Sequence, residues 1–117
     1  VLAVGESFLD PLDDTTRRIS AAFIGGMGDT RQEACGALSG GLIIIGALYG
    51  RVSQAEDEHI CTRLAARYHE QFTATFNLTR CADLRANGFG SSGTTPCAVL
   101  VERATRILLD VLDQEQP

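Results

Sequence analysis

The sequence predicts an all-α fold, a compact bundle of about five helices around a central glycine-rich apolar helix. Three observations lead there. Ile60, Leu64, Tyr68, Phe72 and Phe76 form an i, i+4 ladder that makes one apolar stripe. Helix-start and helix-stop residues bracket this segment and the other periodic ones. No stretch sustains the alternation of a half-buried strand.

Taken in order, Val1 to Leu9 reads as the end of a helix closed by Asp10-Pro11. Asp13 or Asp14 caps a second helix through Ile19, Ala22 and Phe23, which Gly25-Gly26-Met27-Gly28 ends. Thr30 and Glu33 have capping-box spacing ahead of the apolar helix that carries Cys35 and stops at Gly50. Ser53 and Glu56 repeat that signal for the long helix of the ladder. Thr79 caps a short helix with Cys81 and Leu84, ended by Asn87-Gly88. Thr95-Pro96 places an N-cap and an N1 proline before a last helix whose core face is Val101, Ala104, Leu108 and Val111.

The most informative stretch is Glu33-Ala34-Cys35-Gly36-Ala37-Leu38-Ser39-Gly40-Gly41. Glycine in a helix interior costs roughly 1 kcal/mol relative to alanine, so Gly36, Gly40 and Gly41 predict that something approaches this backbone closely.

The chain's 117 residues suffice for one domain with its own core. A net charge of −5 argues against nucleic acid as a partner, because such binding needs a clustered basic face. All ten basic residues are arginine, which removes a Schiff-base or P-loop lysine. With no tryptophan and few aromatic residues, a base-stacking platform is not expected. Ala34 to Gly50 carries no charge but sits at the short end of the ~17–25 residues a membrane helix needs, and five glycines interrupt it. The chain opens at Val1 inside an apolar run with no basic n-region before it. The expectation is a single domain over residues 1–117 that lacks its N-terminal segment, in a cytoplasmic protein.

The cysteines carry the chemistry. With the caps above, Cys81 and Cys97 take the second position of their helices, where unpaired amides and the macrodipole favour an anion. A thiol so placed gains thiolate character, and Arg80 adds a cation beside Cys81. Cys35 is expected one turn further into its helix, with a weaker effect. Cys61 falls mid-helix near the apolar stripe and reads as core. His59 and His69 read as surface or boundary residues, and His59 points away from Cys61. Free cysteines also commonly do no more than fill core, so a structural role for the set stays open.

There is no Cys-x-x-Cys, hence neither a zinc-ribbon nor a thioredoxin-type motif, and no Cys-x-x-Cys-His for covalent haem. Gly88-Phe89-Gly90-Ser91-Ser92-Gly93 spells G-x-G-x-x-G but lacks the strand and βαβ unit a dinucleotide site requires; a mobile loop bringing Cys97 towards Cys81 fits better. Asn77-Leu78-Thr79 spells a glycosylation sequon yet reads as a turn and a cap. Asp57 and Glu58 are solvated charges that complement a helix start.

With Gly25-Gly26-Met27-Gly28 leading into the CGAxxG run Cys35-Gly36-Ala37-Leu38-Ser39-Gly40, then Leu48-Tyr49-Gly50 and single cysteines at Cys81 and Cys97, the chain resembles the redox-active C_GCAxxG_C_C family. The likeness covers essentially the whole chain. It implies a small bacterial or archaeal helical protein, often encoded near transporter genes, with redox activity. Cys35, Cys81 and Cys97 match the family's second, third and fourth cysteines. The first falls at or upstream of Val1, and Cys61 has no counterpart.

Three functions follow. In the first, Cys35, Cys81 and Cys97 converge at one end of the bundle as a dithiol/disulfide couple, with Cys81 and Cys97 the favoured pair. Gly36 and Gly40 would let a helix or a substrate approach Cys35. In the second, the same three thiolates bind an iron–sulfur cluster or zinc. In the third, the cysteines are core and the Gly36/Gly40 face packs a homodimer. A membrane transporter or a redox partner protein completes the expected partners.

Overall fold

The computed structural model describes residues 13–89 and 97–114, and among them five helices account for nearly all regular structure. They are α1 (Asp14–Ala21), α2 (Gly36–Tyr49), α3 (His59–Phe76), α4 (Cys81–Ala86) and α5 (Cys97–Asp113). The all-α prediction holds. The predicted helix over Val1 to Leu9, the Thr95-Pro96 cap and most of the Gly88–Gly93 loop lie outside the described residues.

Helices α2, α3 and α5 pack against one another in pairs, and α1 leans on α2. The glycine-rich helix is therefore central, as its composition predicts. The core is the meeting of three faces: Leu38, Ile44 and Ile45 from α2, Leu64, Tyr68, Phe72 and Phe76 from α3, and Leu100, Ala104, Leu108, Val111 and Leu112 from α5. Two residues depart from their predicted faces. Ile60 is 42% exposed because α3 begins only one residue before it, and Val101 is 45% exposed while Leu100 takes the buried position.

Local chemistry explains most boundaries. Asp13 caps α1, its Oδ1 accepting the Thr16 N–H at 2.6 Å. Asn77 ends α3 in the left-handed region (φ 62°), which asparagine tolerates better than most residues. Gly50 closes α2, its N–H donating to the Gly46 carbonyl at 2.7 Å.

Two predicted helix starts are too early. Ser53 and Glu56 build a turn: the Ser53 carbonyl accepts the Glu56 N–H, and the Glu56 carboxylate accepts the Val52 N–H at 3.0 Å. Helix α3 then starts at His59, whose N–H donates to Asp57 Oδ1 at 2.8 Å. Thr30 likewise turns back, its hydroxyl donating to the Gly26 and Met27 carbonyls at 2.9 Å each. The chain beyond it bends through residues 31–33, with Arg31 in the left-handed region (φ 64°), and α2 begins only after Cys35.

The close approach predicted by the glycines occurs at Gly41. A Cβ added there would fall 2.4 Å from the Tyr68 ring. Tyr68 lies across α2, and its hydroxyl donates to the Ala37 carbonyl at 2.9 Å, one turn before Gly41. The bulkiest residue of α3 thus sits where α2 has no side chain, and its polar tip is satisfied at a backbone carbonyl.

The Gly41→Ala variant is expected to lose about 1–3 kcal/mol of stability, the usual cost of overpacking, in denaturant-induced unfolding. Gly46→Ala, where an added Cβ meets nothing within 4 Å, is expected to be neutral or stabilising. Equal effects of the two substitutions would contradict the packing described.

Candidate functional site

The thiols are positioned by a short ladder that the helix-capping rules do not reveal. Ala34 and Arg80 form an isolated antiparallel bridge. Around it the Cys35 N–H donates to the Thr79 carbonyl at 2.7 Å, the Cys81 N–H to the Glu33 carbonyl at 2.9 Å, and the Ala82 N–H to the Arg31 carbonyl at 2.7 Å. Ala34 and Arg80 are thus the non-hydrogen-bonded pair of the ladder, so by strand alternation Cys35 and Cys81 share the opposite face as diagonal neighbours.

This pairing corrects the predicted cysteine positions. Cys35 is the N-cap of α2 rather than a residue one turn inside it. Cys81 is the first residue of α4, and Arg80, not Thr79, precedes it as cap. The α4 amides expected to favour an anion at Cys81 are spent on Glu33 and Arg31, and α4 has only 6 residues. Cys97 is the first described residue of α5.

Between α1 and the ladder the backbone winds the wrong way. Gly25, Gly26, Met27, Gly28 and Asp29 all have positive φ between 56° and 75°. L-residues other than glycine resist this at roughly 1–2 kcal/mol each, so the three glycines make the turn feasible and Met27 and Asp29 bear its cost. The turn presses Gly26 against the site: a Cβ there would lie 2.8 Å from both the Arg31 Cα and the Cys81 Cβ.

The result is a cleft of about 680 Å³ between α1, α2, α4 and α5, lined by Cys35, Cys81 and Cys97 and by Gly36 and Gly40. The five residues singled out in the sequence are therefore neighbours of one cavity. The thiols differ in exposure: Cys81 is buried, Cys35 half-buried and Cys97 exposed, and all three are free. Cys61 does not line the cleft; it packs half-buried against the core, as predicted. His59 and His69 are exposed.

Burial pushes the Cys35 thiol up from the ordinary thiol range. The Ala37 and Leu38 amides at the start of α2 pull the other way but do not offset it, and Cys81 and Cys97 push it further up. Burial also raises the Tyr68 phenol.

Arg80, the cation predicted beside Cys81, is turned away. Its guanidinium forms a two-pronged pair with Asp83, at 2.8 and 3.1 Å. The cation of the cleft is Arg85, which the sequence reading missed. It lies four residues after Cys81, one helical turn along the same face, and that spacing was the available signal. The Cys81 thiol adjoins it and favours its charged form, with Cys97 and Asp29 acting in the same direction. Its Nε is buried and has no hydrogen-bond partner among the described residues.

A bound metal would need three or more converging donors. Among the described residues, no three of the Cys, His, Asp and Glu side chains gather closely enough to hold a metal ion. The three thiols ring the cleft without forming a ligand set for a cluster or zinc. No helix among the described residues is long and apolar enough to cross a membrane.

Fold and site together define a small helical protein with several free thiols around one cleft. Residues 1–111 match the family described as "Putative redox-active protein (C_GCAxxG_C_C)", and the chain belongs to that family. The family label writes Gly-Cys-Ala, whereas this chain reads Cys35-Gly36-Ala37. No curated protein and no solved structure matches the chain.

Two measurements check this site. Gly26→Ala is expected to destabilise more than Gly28→Ala: both positions have positive φ, but only Gly26 also meets a neighbour. Equal losses in thermal unfolding would contradict the contact with Cys81. In alkylation by iodoacetamide followed residue by residue, Cys35 is expected to react more slowly than Cys97 at neutral pH. Its rate should still be climbing above pH 9, since a raised thiol yields thiolate only at higher pH. A Cys35 rate that levels off below pH 8 would contradict the effect of burial.

Proposed function

We propose that the protein is a thiol–disulfide redox protein whose working pair is Cys81 and Cys97, with Cys35 held in reserve as a thiol. The observation that carries this reading is the shared cleft: three free cysteines from three separate segments line one cavity and differ in exposure in a useful order. Membership of a redox-active family supports it.

Each residue has a role that its surroundings favour. Cys97 is exposed at the start of a 17-residue helix and is the sulfur an incoming oxidant reaches first. Cys81 is buried, its backbone fixed by the ladder, and acts second. Arg85 beside it offsets negative charge that develops on either sulfur during exchange. Cys35 stays protonated because burial disfavours its anion.

Towards a disulfide-bearing partner the exchange balances as follows. The Cys97 thiolate attacks one sulfur of the partner's disulfide, forming a mixed disulfide and releasing the other sulfur as thiolate. The Cys81 thiolate then attacks the Cys97 sulfur, forming the intramolecular disulfide and expelling the partner's second thiolate. Two electrons pass to the partner and two thiol protons pass to solvent.

The test is a thiol count on anaerobically purified protein before and after reductant, with metal analysis of the same sample. Oxidised wild-type and Cys35→Ser proteins are expected to gain two thiols on reduction, with no stoichiometric metal. Cys81→Ser and Cys97→Ser are expected to gain none while retaining their helicity. Stoichiometric iron or zinc, or loss of the couple in Cys35→Ser alone, would overturn the assignment. Unfolding of the serine variants would indicate a structural role for the cysteines.

A further inference from the structure

The cleft is larger and more apolar than a dithiol needs. Its volume of about 680 Å³ lies in the range of roughly 300–1,000 Å³ typical of small-molecule sites. Phe23, Leu84, Phe89 and Leu100 supply apolar wall, and Phe89 is anchored edge-on to the core through Phe76, with ring centroids 5.7 Å apart. Ile24 and Val101 also line the cleft while remaining 65% and 45% exposed, so apolar surface continues from the interior to its open side.

The charges in that wall are one of each sign, Arg85 and Asp29. A fully charged anion would gain Arg85 but meet Asp29, and thiolate formation makes the cleft more negative still. A neutral ligand with a hydrogen-bond acceptor avoids that penalty. Its acceptor would also meet the guanidinium of Arg85, the one cation among the described residues that line the cleft.

A neutral, mostly apolar molecule with a carbonyl acceptor, bound beside two thiols, fits one redox class. We propose that the cleft binds a quinone as the electron acceptor of the Cys81/Cys97 dithiol, its carbonyl oxygen on the Arg85 guanidinium and its apolar tail over Ile24 and Val101. This inference rests on the dithiol reading of the site. The step balances without another reagent. The two thiols lose two electrons and two protons as the S–S bond forms, and the quinone takes both pairs to become a quinol with two new O–H bonds.

Decylubiquinone is the probe, since every ring carbon of it is substituted and thiols cannot simply arylate it. Binding is measured by calorimetry on the Cys81→Ser/Cys97→Ser double variant, which cannot transfer electrons, and reduction is followed on the reduced wild-type protein. Saturable binding is expected, weakened about tenfold or more by adding Arg85→Met. Arg85→Lys, which keeps the charge but loses the planar guanidinium fork, is expected to weaken it as well, and serves if the methionine variant fails to fold. Wild-type protein should lose two thiols for each quinone reduced. No binding to the double variant, or binding indifferent to Arg85, would overturn the proposal. So would binding without electron transfer in a wild-type protein that still cycles between dithiol and disulfide with ordinary thiol reagents. In each of these cases the dithiol couple itself would stand. A wild-type protein that gains no thiols under any reductant would instead remove the couple and the quinone proposal with it.

Discussion

Three backbone hydrogen bonds between residues 31–35 and 79–82 hold the site together. Each is worth only about 1 kcal/mol net, but together they tie the start of α2 to the start of α4, two segments far apart in the chain. That tie puts Cys35 and Cys81 on one face and leaves Gly26 no room for a side chain. It also uses the backbone donors and acceptors that local capping would otherwise claim. The left-handed turn from Gly25 to Asp29 delivers the chain to this ladder, and its strain is tolerable because the paired segment on the far side fixes it.

The electrostatics of the cleft follow from depth rather than from helix ends. At Cys35 the first amides of α2 do favour the anion, yet loss of solvent outweighs them. Cys81 is placed differently: its local amides are occupied, but a guanidinium one turn along α4 adjoins the sulfur. One cavity therefore holds a suppressed thiol, a thiol beside a fixed cation and an exposed thiol. Three equivalent sulfurs would suit metal ligation better, whereas this graded set suits sequential exchange.

Much of this was legible in the sequence, for identifiable reasons. The ladder from Leu64 to Phe76 is long and periodic, so α3 and the bundle followed from it. The glycines of the central helix signalled a close approach, and the contact fell at Gly41, while Gly36 and Gly40 line the cleft. Thr30 and Glu33 have capping spacing but do not start α2. The Thr30 hydroxyl turns back to the Gly26 and Met27 carbonyls, and the Glu33 carbonyl accepts the Cys81 N–H beside the bridge from Ala34 to Arg80. Arg80 is adjacent to Cys81 in the chain, but the same long-range pairing puts it on the other face of the ladder. Arg85 was legible only to a reading that traced the face of a six-residue helix.

The most direct test of the central claim is a disulfide map. Protein oxidised with diamide and digested without reduction should yield a Cys81–Cys97 cross-link, with Cys35 and Cys61 recovered as free, alkylatable thiols. A Cys35–Cys81 link would instead make the ladder neighbours the working pair, and four free thiols would mean that the cleft holds no couple at all. Either of those results would contradict the account.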